Sequence, residues 1–227
     1  MNIDRLSNNL KKTLPDSNLK ATVLPGCPEI SLFLFDPERL QGPLDHDVAQ
    51  AVVAEPAYWS FCWASGQAMA SYLLQNPHLV QDKEVLDFGS GSGVVAIAAA
   101  MAGAKSVTAL DIDRQALDAC EANAQLNGVS LSVLSDFDSC QGKIDVVSAA
   151  DVLYDRDNMH WLDTLLTRAD KVLLADSRVK NLNHPHYTLH QAYRCRTWPD
   201  LNEFEEFNTV RIYQGEKTES DSVQNRW

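Results

Sequence analysis

The stretch Val-Leu-Asp-Phe-Gly-Ser-Gly-Ser-Gly at residues 85–93 decides the fold. It reads as a short apolar strand that runs into three alternating glycines, with an acid just ahead of them. A glycine-rich turn between a strand and a helix lets a ligand approach the backbone, and an acid ending the next strand can hold a ribose. The next apolar strand, 107–110, ends on Asp111. The two segments together predict a nucleotide-like cofactor.

The glycine spacing and the acid ahead of it distinguish between cofactors. Dinucleotide-binding loops usually place the third glycine one position later than Gly93, and a pyrophosphate there favours amide groups over a carboxylate such as Asp87. S-adenosylmethionine has no phosphate, and its amino group and sulfonium are both cationic. Opposite charges about 4 Å apart gain up to roughly 4 kcal/mol at an effective dielectric of about 20, before desolvation. The pattern favours S-adenosylmethionine over NAD, with Asp87, Gly89, Gly91 and Gly93 as candidate cofactor-binding residues.

Acids that follow the next two strands extend the candidate cofactor site. Asp111 can accept hydrogen bonds from both ribose hydroxyls, although an N-cap of the following helix is an alternative role. Asp113 is the weaker ribose candidate, because the turn has begun there, and Ile112 between them is included in the cofactor-binding set. Asp136 follows the third strand and can face the adenine amine, with a capping or surface role left open.

Strand and helix patterns alternate along the middle of the chain. Strands are predicted at 85–88, 106–110, 131–134, 144–150 and 171–175, with helices at 93–101, 114–126 and 158–168. This alternation predicts a parallel sheet with helices on both faces. Two further strands, 187–196 and 209–213, have no helix after them and predict an antiparallel pair at the sheet edge. The expected fold class is α/β, a Rossmann-like seven-strand sheet with antiparallel C-terminal edge strands.

The segments outside this core predict a small N-terminal extension and a polar tail. Helical patterns are predicted at 3–14, near 45–53 and at 65–75, and strands at 22–24 and 30–35 form a hairpin outside the main sheet. We therefore expect an extension over 1–54, a cofactor-binding domain over 55–215 and a disordered tail over 216–227.

Composition narrows the class of protein. The chain has 227 residues, 45% of them hydrophobic, and a formal charge of −12, which argues against a surface that tracks nucleic-acid phosphates. Five cysteines without a CxxC motif are typical of reduced thiols, and no apolar run or leader predicts a membrane segment, so a cytoplasmic protein is expected. No metal is expected at His184, His186 and His190, because no acid or cysteine spacing supports one.

Several motifs resemble those of a known family. Residues 85–93, the Leu-Asp-Ile-Asp at 110–113 and the Asn-Ala-Gln-Leu-Asn-Gly at 123–128 look like those of the seven-strand S-adenosylmethionine-dependent methyltransferases. The Trp-rich segment 55–68 and the Ala-Asp-Val-Leu-Tyr-Asp at 150–155 narrow the resemblance to the "family 16" protein methyltransferases. Within that group, the chain is most similar to the lysine methyltransferases of the electron-transfer-flavoprotein β subunit and their bacterial relatives, over about residues 55–180.

The resemblance implies roles for individual residues. It puts Trp59 and Trp63 beside the cofactor, with core packing as the alternative for both, and Gly89 and Gly91 under the methionine part. Asp111 would then bind the ribose.

Asp151 and Tyr154 would line the methyl-transfer site as catalytic residues, with capping of a helix near Asn158 as the alternative for Asp151. Ala64 departs from the pattern, because eukaryotic relatives often have proline there, and the local turn is therefore open.

The implied function is protein-lysine N-methylation with S-adenosylmethionine, and the β subunit of electron transfer flavoprotein is the favoured partner. The alternatives are a small-molecule N-methyltransferase, methylation of another protein such as a ribosomal protein, a cofactor-binding regulatory module, and a nicotinamide oxidoreductase. No nucleic-acid or membrane partner is expected, and a monomer is favoured.

Overall fold

A computed structural model of the protein describes residues 3–37, 56–201 and 203–217. The helix predicted near 45–53 and residues 218–227 of the predicted tail lie outside these ranges. None of the helices within them has the length and apolarity that a bilayer span requires.

A seven-stranded sheet organises the chain, and a separate two-stranded hairpin precedes it. The strands are β1 (Leu19–Leu24), β2 (Cys27–Phe35), β3 (Glu84–Phe88), β4 (Ser106–Leu110), β5 (Ser132–Leu134), β6 (Ile144–Ala150), β7 (Ala169–Asp176), β8 (Tyr187–Arg194) and β9 (Thr209–Glu216). The order across the sheet is β5-β4-β3-β6-β7-β9-β8. The strands from β3 to β7 run parallel to one another, whereas β9 is antiparallel to both β7 and β8. The predicted fold class is confirmed.

The helices cover the sheet where the alternation predicts them. They are α1 (Ile3–Thr13), α2 (Ala64–Gln75), α3 (Val94–Met101), α4 (Arg114–Leu126) and α5 (Trp161–Arg168). The helix bounds differ from the prediction by at most one residue except at α5, which begins three residues later because residues 156–160 form a 3₁₀ turn ahead of it. The Asp155 side chain accepts a hydrogen bond from the backbone N–H of Asp157 and so fixes the start of that turn.

Strand β9 runs past the predicted end at Tyr213 and continues to Glu216. It pairs with β7 on one side and β8 on the other, so its backbone groups are bonded along both edges. Lys171 and Glu216, which face each other in register, also form an ion pair at 2.7 Å.

Buried apolar residues form one cluster on each face of the sheet. One cluster includes α2, α3 and much of β2; the other joins α5 to the opposite face of β6 and β7. The two-stranded hairpin therefore shares its core with the sheet domain. Asn123 on α4 ties them together, because its Oδ1 accepts from the Phe33 N–H at 2.7 Å and its Nδ2 donates to the Ser92 carbonyl at 2.9 Å.

Candidate functional site

The glycine loop connects β3 to α3 at the carboxyl end of the parallel strands. Gly89, Gly91 and Gly93 have φ values of +72°, +52° and +80°, a region that favours glycine. The backbone N–H groups of Gly89 and Ser90 both donate to the Leu110 carbonyl at 2.9 Å, so the loop is fastened to the end of β4.

The three glycines are needed for different reasons. A Cβ at Gly93 would lie 3.0 Å from the Cα of Cys120, and one at Gly89 would lie 2.9 Å from a methyl of Val152. A Cβ at Gly91 would meet nothing within 4 Å. Gly89 and Gly93 are therefore required by packing within the protein, whereas Gly91 faces open space into which a ligand could fit.

Asp87 lies beneath the loop and is only 1% exposed. Its Oδ1 accepts from the Ser148 hydroxyl at 2.9 Å, while its Oδ2 is buried and has no hydrogen-bond partner within the described ranges. Burial raises the pKa of this carboxyl to about 6, although the hydrogen bond from Ser148 opposes the rise. A ligand above the loop would experience the charge of Asp87 without touching the carboxylate in this conformation.

Asp111 holds the loop from the side. Its Oδ2 accepts from the Gly91 N–H and its Oδ1 from the Asp113 N–H, both at 2.9 Å. The N-cap alternative for Asp111 is wrong, because Asp113 caps α4 by accepting from the Gln115 N–H at 2.8 Å. Burial raises the pKa of Asp111, against the backbone hydrogen bonds that lower it.

Two other predicted cofactor residues lie on the surface. Ile112 is 89% exposed beside Asp111, so its apolar side chain is available to a flat ligand such as a base. Asp136 caps the turn at 137–139, accepting from the Asp138 N–H at 3.1 Å and the Ser139 hydroxyl at 2.7 Å. The capping role left open for Asp136 is therefore present, and contact with adenine stays a prediction.

Asp151 immediately follows β6 and has a left-handed φ of +52°, which is rare for a residue other than glycine. Its carboxylate accepts from the Ser65 hydroxyl at 2.6 Å, the Ser65 N–H at 3.2 Å and the Ser177 hydroxyl at 2.9 Å. It therefore binds the first turn of α2, and the alternative cap for a helix near Asn158 is wrong. Burial raises the pKa of Asp151, and the nearby charge of Asp176 adds to the rise.

Asp176, at the end of β7, is a second buried acid beside Asp151. Its Oδ1 accepts from the backbone N–H groups of Arg178 and Val179 at 2.8 and 2.7 Å, while its Oδ2 is buried without a partner in the described part of the chain. Burial raises its pKa, against backbone hydrogen bonds that include one from Leu153. The sequence analysis missed Asp176, Ser65 and Ser177; the position of Asp176 at the end of a parallel strand is the signal that could have found it.

The two tryptophans of the Trp-rich segment have different environments. Trp59 is 1% exposed and packs in an apolar cluster with α1, β2 and the alanines of α4, so the core-packing alternative describes it. Trp63 is half-buried, immediately precedes α2 and donates from Nε1 to the Tyr58 carbonyl at 3.1 Å. The Tyr58 ring lies 5.7 Å from the Trp63 ring, centroid to centroid.

Tyr154, the second predicted catalytic residue, is 67% exposed. Burial of part of the ring raises the pKa of its phenol, as do the nearby Tyr58 and Asp111. Tyr154 therefore has both Tyr58 and the predicted ribose acid, Asp111, in its surroundings. Tyr58 is 53% exposed and was not among the predicted site residues.

The connection between β8 and β9, residues 195–208, is bonded to the same site. The Ala64 N–H donates to the Thr197 hydroxyl at 3.3 Å, and that hydroxyl donates to Glu203 at 2.6 Å. Glu203 in turn pairs with Arg178 at 3.2 Å, next to Ser177. These bonds close a ring of contacts that begins and ends at Asp151.

The histidines lie elsewhere. His184 contacts Asp163 at 3.2 Å and packs on Tyr187, and His190 packs on Tyr72. Within 3–37, 56–201 and 203–217, no group of three metal-ligating side chains is placed to hold an ion. A cavity of about 380 Å³ lies beside the hairpin turn, against Gly26, Gln67, Cys195 and Trp198, and none of the predicted site residues lines it.

The residues around the loop fit S-adenosylmethionine. Gly91 leaves room above the loop, Asp111 lies at its side and the apolar face of Ile112 is exposed next to it. The unpartnered oxygen of Asp87 contributes negative charge below the loop. This set suits an adenosine that carries positive charge, and it suits a pyrophosphate poorly.

Comparisons with known proteins agree with this geometry. Residues 68–155 match the family described as Ribosomal protein L11 methyltransferase (PrmA). Two solved structures share the fold. A ribosomal protein L11 methylase from Lactobacillus delbrueckii subsp. bulgaricus is 23% identical, with a TM-score of 0.52, and the match covers 68% of this chain and 79% of that chain. A magnesium protoporphyrin IX methyltransferase from Synechocystis PCC 6803 with bound SAM is 19% identical, with a TM-score of 0.51, and the match covers 79% of this chain and 87% of that chain. The chain therefore has the Rossmann-like fold of these methyltransferases, as predicted.

A narrower similarity concerns the acceptor. The chain is 40% identical over 145 residues to the electron transfer flavoprotein beta subunit lysine methyltransferase of Mus musculus. The matched segment covers 60% of this chain and 56% of that protein. The predicted resemblance is confirmed, although the chain matches only about half the length of that protein.

Proposed function

We propose that the protein is an S-adenosylmethionine-dependent protein-lysine N-methyltransferase whose acceptor is the β subunit of electron transfer flavoprotein. The observation that carries the proposal is the contact between the two halves of the site. Val152, within the acid-x-x-aromatic motif, lies so close to Gly89 that a Cβ there would meet it at 2.9 Å. The acceptor motif is therefore packed directly against the cofactor loop.

The cofactor, when bound, supplies an electrophilic methyl group on a sulfonium. The chain has to deliver a neutral amine in line with that group, and positioning is the largest part of such catalysis. A lysine with an ordinary pKa of about 10.4 must first lose a proton, at a cost of about 1.36 kcal/mol for each pH unit.

Asp151 and Tyr154 suit this task. The Asp151 carboxylate is held rigidly by Ser65 and Ser177, so its charge attracts the incoming ammonium to a fixed place. Tyr154 keeps its phenolic proton because its pKa is raised, and the phenol oxygen can accept a hydrogen bond from the amine. Partial burial between these groups favours the neutral amine over the ammonium, and the ammonium loses its proton to solvent before methyl transfer.

The acceptor protein is supported by the relatives. The mouse protein at 40% identity is named for lysine methylation of the electron transfer flavoprotein beta subunit, and the matched 145 residues are long enough to include both the loop and the Asp151 motif. A formal charge of −12 also suits an acceptor surface that presents lysine.

A ribosomal protein is the second candidate acceptor. It is favoured by the family match over residues 68–155, which includes Asp151 and Tyr154. A cytoplasmic location is also proposed, since all five cysteines are unpaired, as is typical of a reducing compartment.

The test uses purified protein, labelled S-adenosylmethionine, and a lysate from the source organism alongside purified electron transfer flavoprotein and ribosomal protein L11 from that organism. We expect label in the flavoprotein β subunit, on lysine by peptide mass spectrometry. Label confined to the ribosomal protein selects the second candidate, and label only in low-mass compounds indicates a small-molecule methyltransferase. No label anywhere contradicts the proposal.

A further inference from the structure

Tyr58, Trp63 and Tyr154 are aromatic side chains outside the buried apolar clusters of the described residues, although the Trp63 ring also lies 6.1 Å from Phe61. Tyr58 is 53% exposed, Tyr154 is 67% exposed and Trp63 is half-buried. The centroids of the Tyr58 and Trp63 rings are 5.7 Å apart, and the ring planes are tilted by 60°. The two rings therefore do not stack in parallel, and together they form a corner. Large exposed aromatic groups that cluster at a candidate site suggest a ligand that covers them.

The position of this aromatic cluster is defined by the residues on either side of it. Trp63 directly precedes α2, whose Ser65 is bonded to Asp151. Tyr154 is three positions after Asp151, and Tyr58 and Asp111 both lie close enough to raise the pKa of its phenol. Trp63 is therefore tied through α2 to Asp151, and Tyr154 has both Tyr58 and the predicted ribose acid nearby.

The electrostatic surroundings favour a cation. The carboxylates of Asp111 and Asp155 lie close to the Tyr154 phenol, Asp151 is three positions before Tyr154, and the faces of aromatic rings carry partial negative charge. Tryptophan and tyrosine faces attract ammonium groups within about 6 Å, and methylated ammonium groups are bound well because they are weakly hydrated. Methylation of an amine leaves a cation of this kind.

We propose that Tyr58, Trp63 and Tyr154 form an aromatic enclosure for the acceptor's ammonium group, which admits the lysine and retains it after each methyl transfer. The inference rests on the proposed function and adds Tyr58 as a substrate-binding residue. It also assigns Trp63 to the acceptor, whereas the sequence resemblance placed it beside the cofactor. Retention between transfers would make di- and trimethyllysine the main products.

The principal variants are Tyr58→Phe, which keeps the aromatic face, and Tyr58→Leu, which keeps an apolar side chain without one. We expect Tyr58→Leu to raise the KM for the acceptor about tenfold and to shift the products towards monomethyllysine, while Tyr58→Phe stays within about threefold of the parent. The dissociation constant of S-adenosylmethionine should be unchanged in both. Met101→Ala is the control, because Met101 is 40% exposed at the far end of α3, away from the loop.

A binding measurement tests the enclosure without turnover. The full chain, saturated with S-adenosylhomocysteine, is titrated with a trimethyllysine peptide and with the isosteric peptide that carries a neutral tert-butyl group. We expect the cationic peptide to bind about tenfold more tightly, and Tyr58→Leu to abolish that preference.

The outcomes separate the inference from the function on which it rests. Lysine methylation with an unchanged KM, product ratio and cation preference in Tyr58→Leu overturns the inference and leaves the proposed function intact. Weaker binding of S-adenosylmethionine in Tyr58→Leu also overturns it, because the ring would then contact the cofactor. Absence of methyllysine in every arm, with parent protein included, overturns both.

Discussion

The two halves of the site are built in different ways. The cofactor half depends on backbone conformation and on contacts between neighbouring strands, as in the bond from the Gly91 N–H to Asp111, twenty positions along the chain. The acceptor half depends on side chains from distant segments: Ser65 and Asp151 are 86 positions apart, and Ala64 and Thr197 are 133 apart. A local loop can be recognised from sequence and tolerates few substitutions, whereas a long-range network can be altered one bond at a time.

The largest effect is expected at the centre of the acceptor half. Asp151→Ala leaves the hydroxyls of Ser65 and Ser177 without their carboxylate and removes the charge that attracts the ammonium. We expect kcat/KM for the acceptor to fall by roughly 100-fold or more, with cofactor binding kept within about threefold. Steady-state kinetics and calorimetry measure the two quantities.

The matched control is Asp170→Ala, an exposed acid at the other end of β7 that pairs with Lys143. It should leave both quantities near their original values. If Asp151→Ala abolishes cofactor binding as well, the acceptor half is not separable from the cofactor half, and the comparison between them fails.

The glycine loop offers a paired test within the cofactor half. Gly93→Ala forces a Cβ to within 3.0 Å of backbone at Cys120, at a φ of +80°, and should lower the free energy of unfolding by about 2 kcal/mol or more. Gly91→Ala meets no atom and should cost only about 1 kcal/mol, from its left-handed φ. Its Cβ enters the space assigned to the cofactor, so we expect it to weaken S-adenosylmethionine binding at least tenfold.

Denaturant unfolding and calorimetry on both variants check this pair. Equal losses of stability, or full retention of cofactor affinity in Gly91→Ala, would show that the open space above Gly91 is not the cofactor position.

The titration of Asp87 leads us to expect that stability and cofactor affinity both depend on pH. The pKa of Asp87 in the folded protein, about 6, is above the ordinary value of 3.8 for this side chain, so folding favours its neutral form. The contribution to stability is complete below about pH 4 and is lost as pH rises through 6, on the order of 3 kcal/mol. A bound cation favours the carboxylate, so S-adenosylmethionine affinity should rise up to tenfold per unit between about pH 4 and 6 and level off above that range.

Asp87→Asn is the variant that removes this titration. Its affinity should lack the rise between about pH 4 and 6, since the amide does not ionise. A parent protein whose affinity is independent of pH in that range would contradict an electrostatic role for Asp87.

The cofactor half and the acceptor half also differ in how much of each could be predicted from the sequence. The order of strands and helices could be predicted because each signal spans a few residues, and the loop with Asp111 because the two follow consecutive strands, twenty positions apart. The choice between cofactor contact and core packing for Trp59 could not be made from the sequence, because its burial depends on α1 and β2, which no local motif reveals. The sequence did not predict Ser65, Ser177 and Asp176 as site residues, because they are brought next to Asp151 only when α2 and the end of β7 pack together in the fold.

The smallest effect concerns Ala64, the position at which the resemblance leads us to expect proline. Its N–H donates to Thr197 Oγ1 at 3.3 Å, so a proline ring carbon would point at that oxygen in place of the hydrogen. The first position of a helix otherwise suits proline, and Trp63, with ψ of 150°, has the extended conformation that a following proline requires. We therefore expect Ala64→Pro to cost only about 1 kcal/mol of stability, and Thr197→Ala in the same chain to recover most of that loss. A double-mutant cycle by denaturant unfolding measures this coupling, and strictly additive losses would mean that Thr197 does not determine the residue at 64.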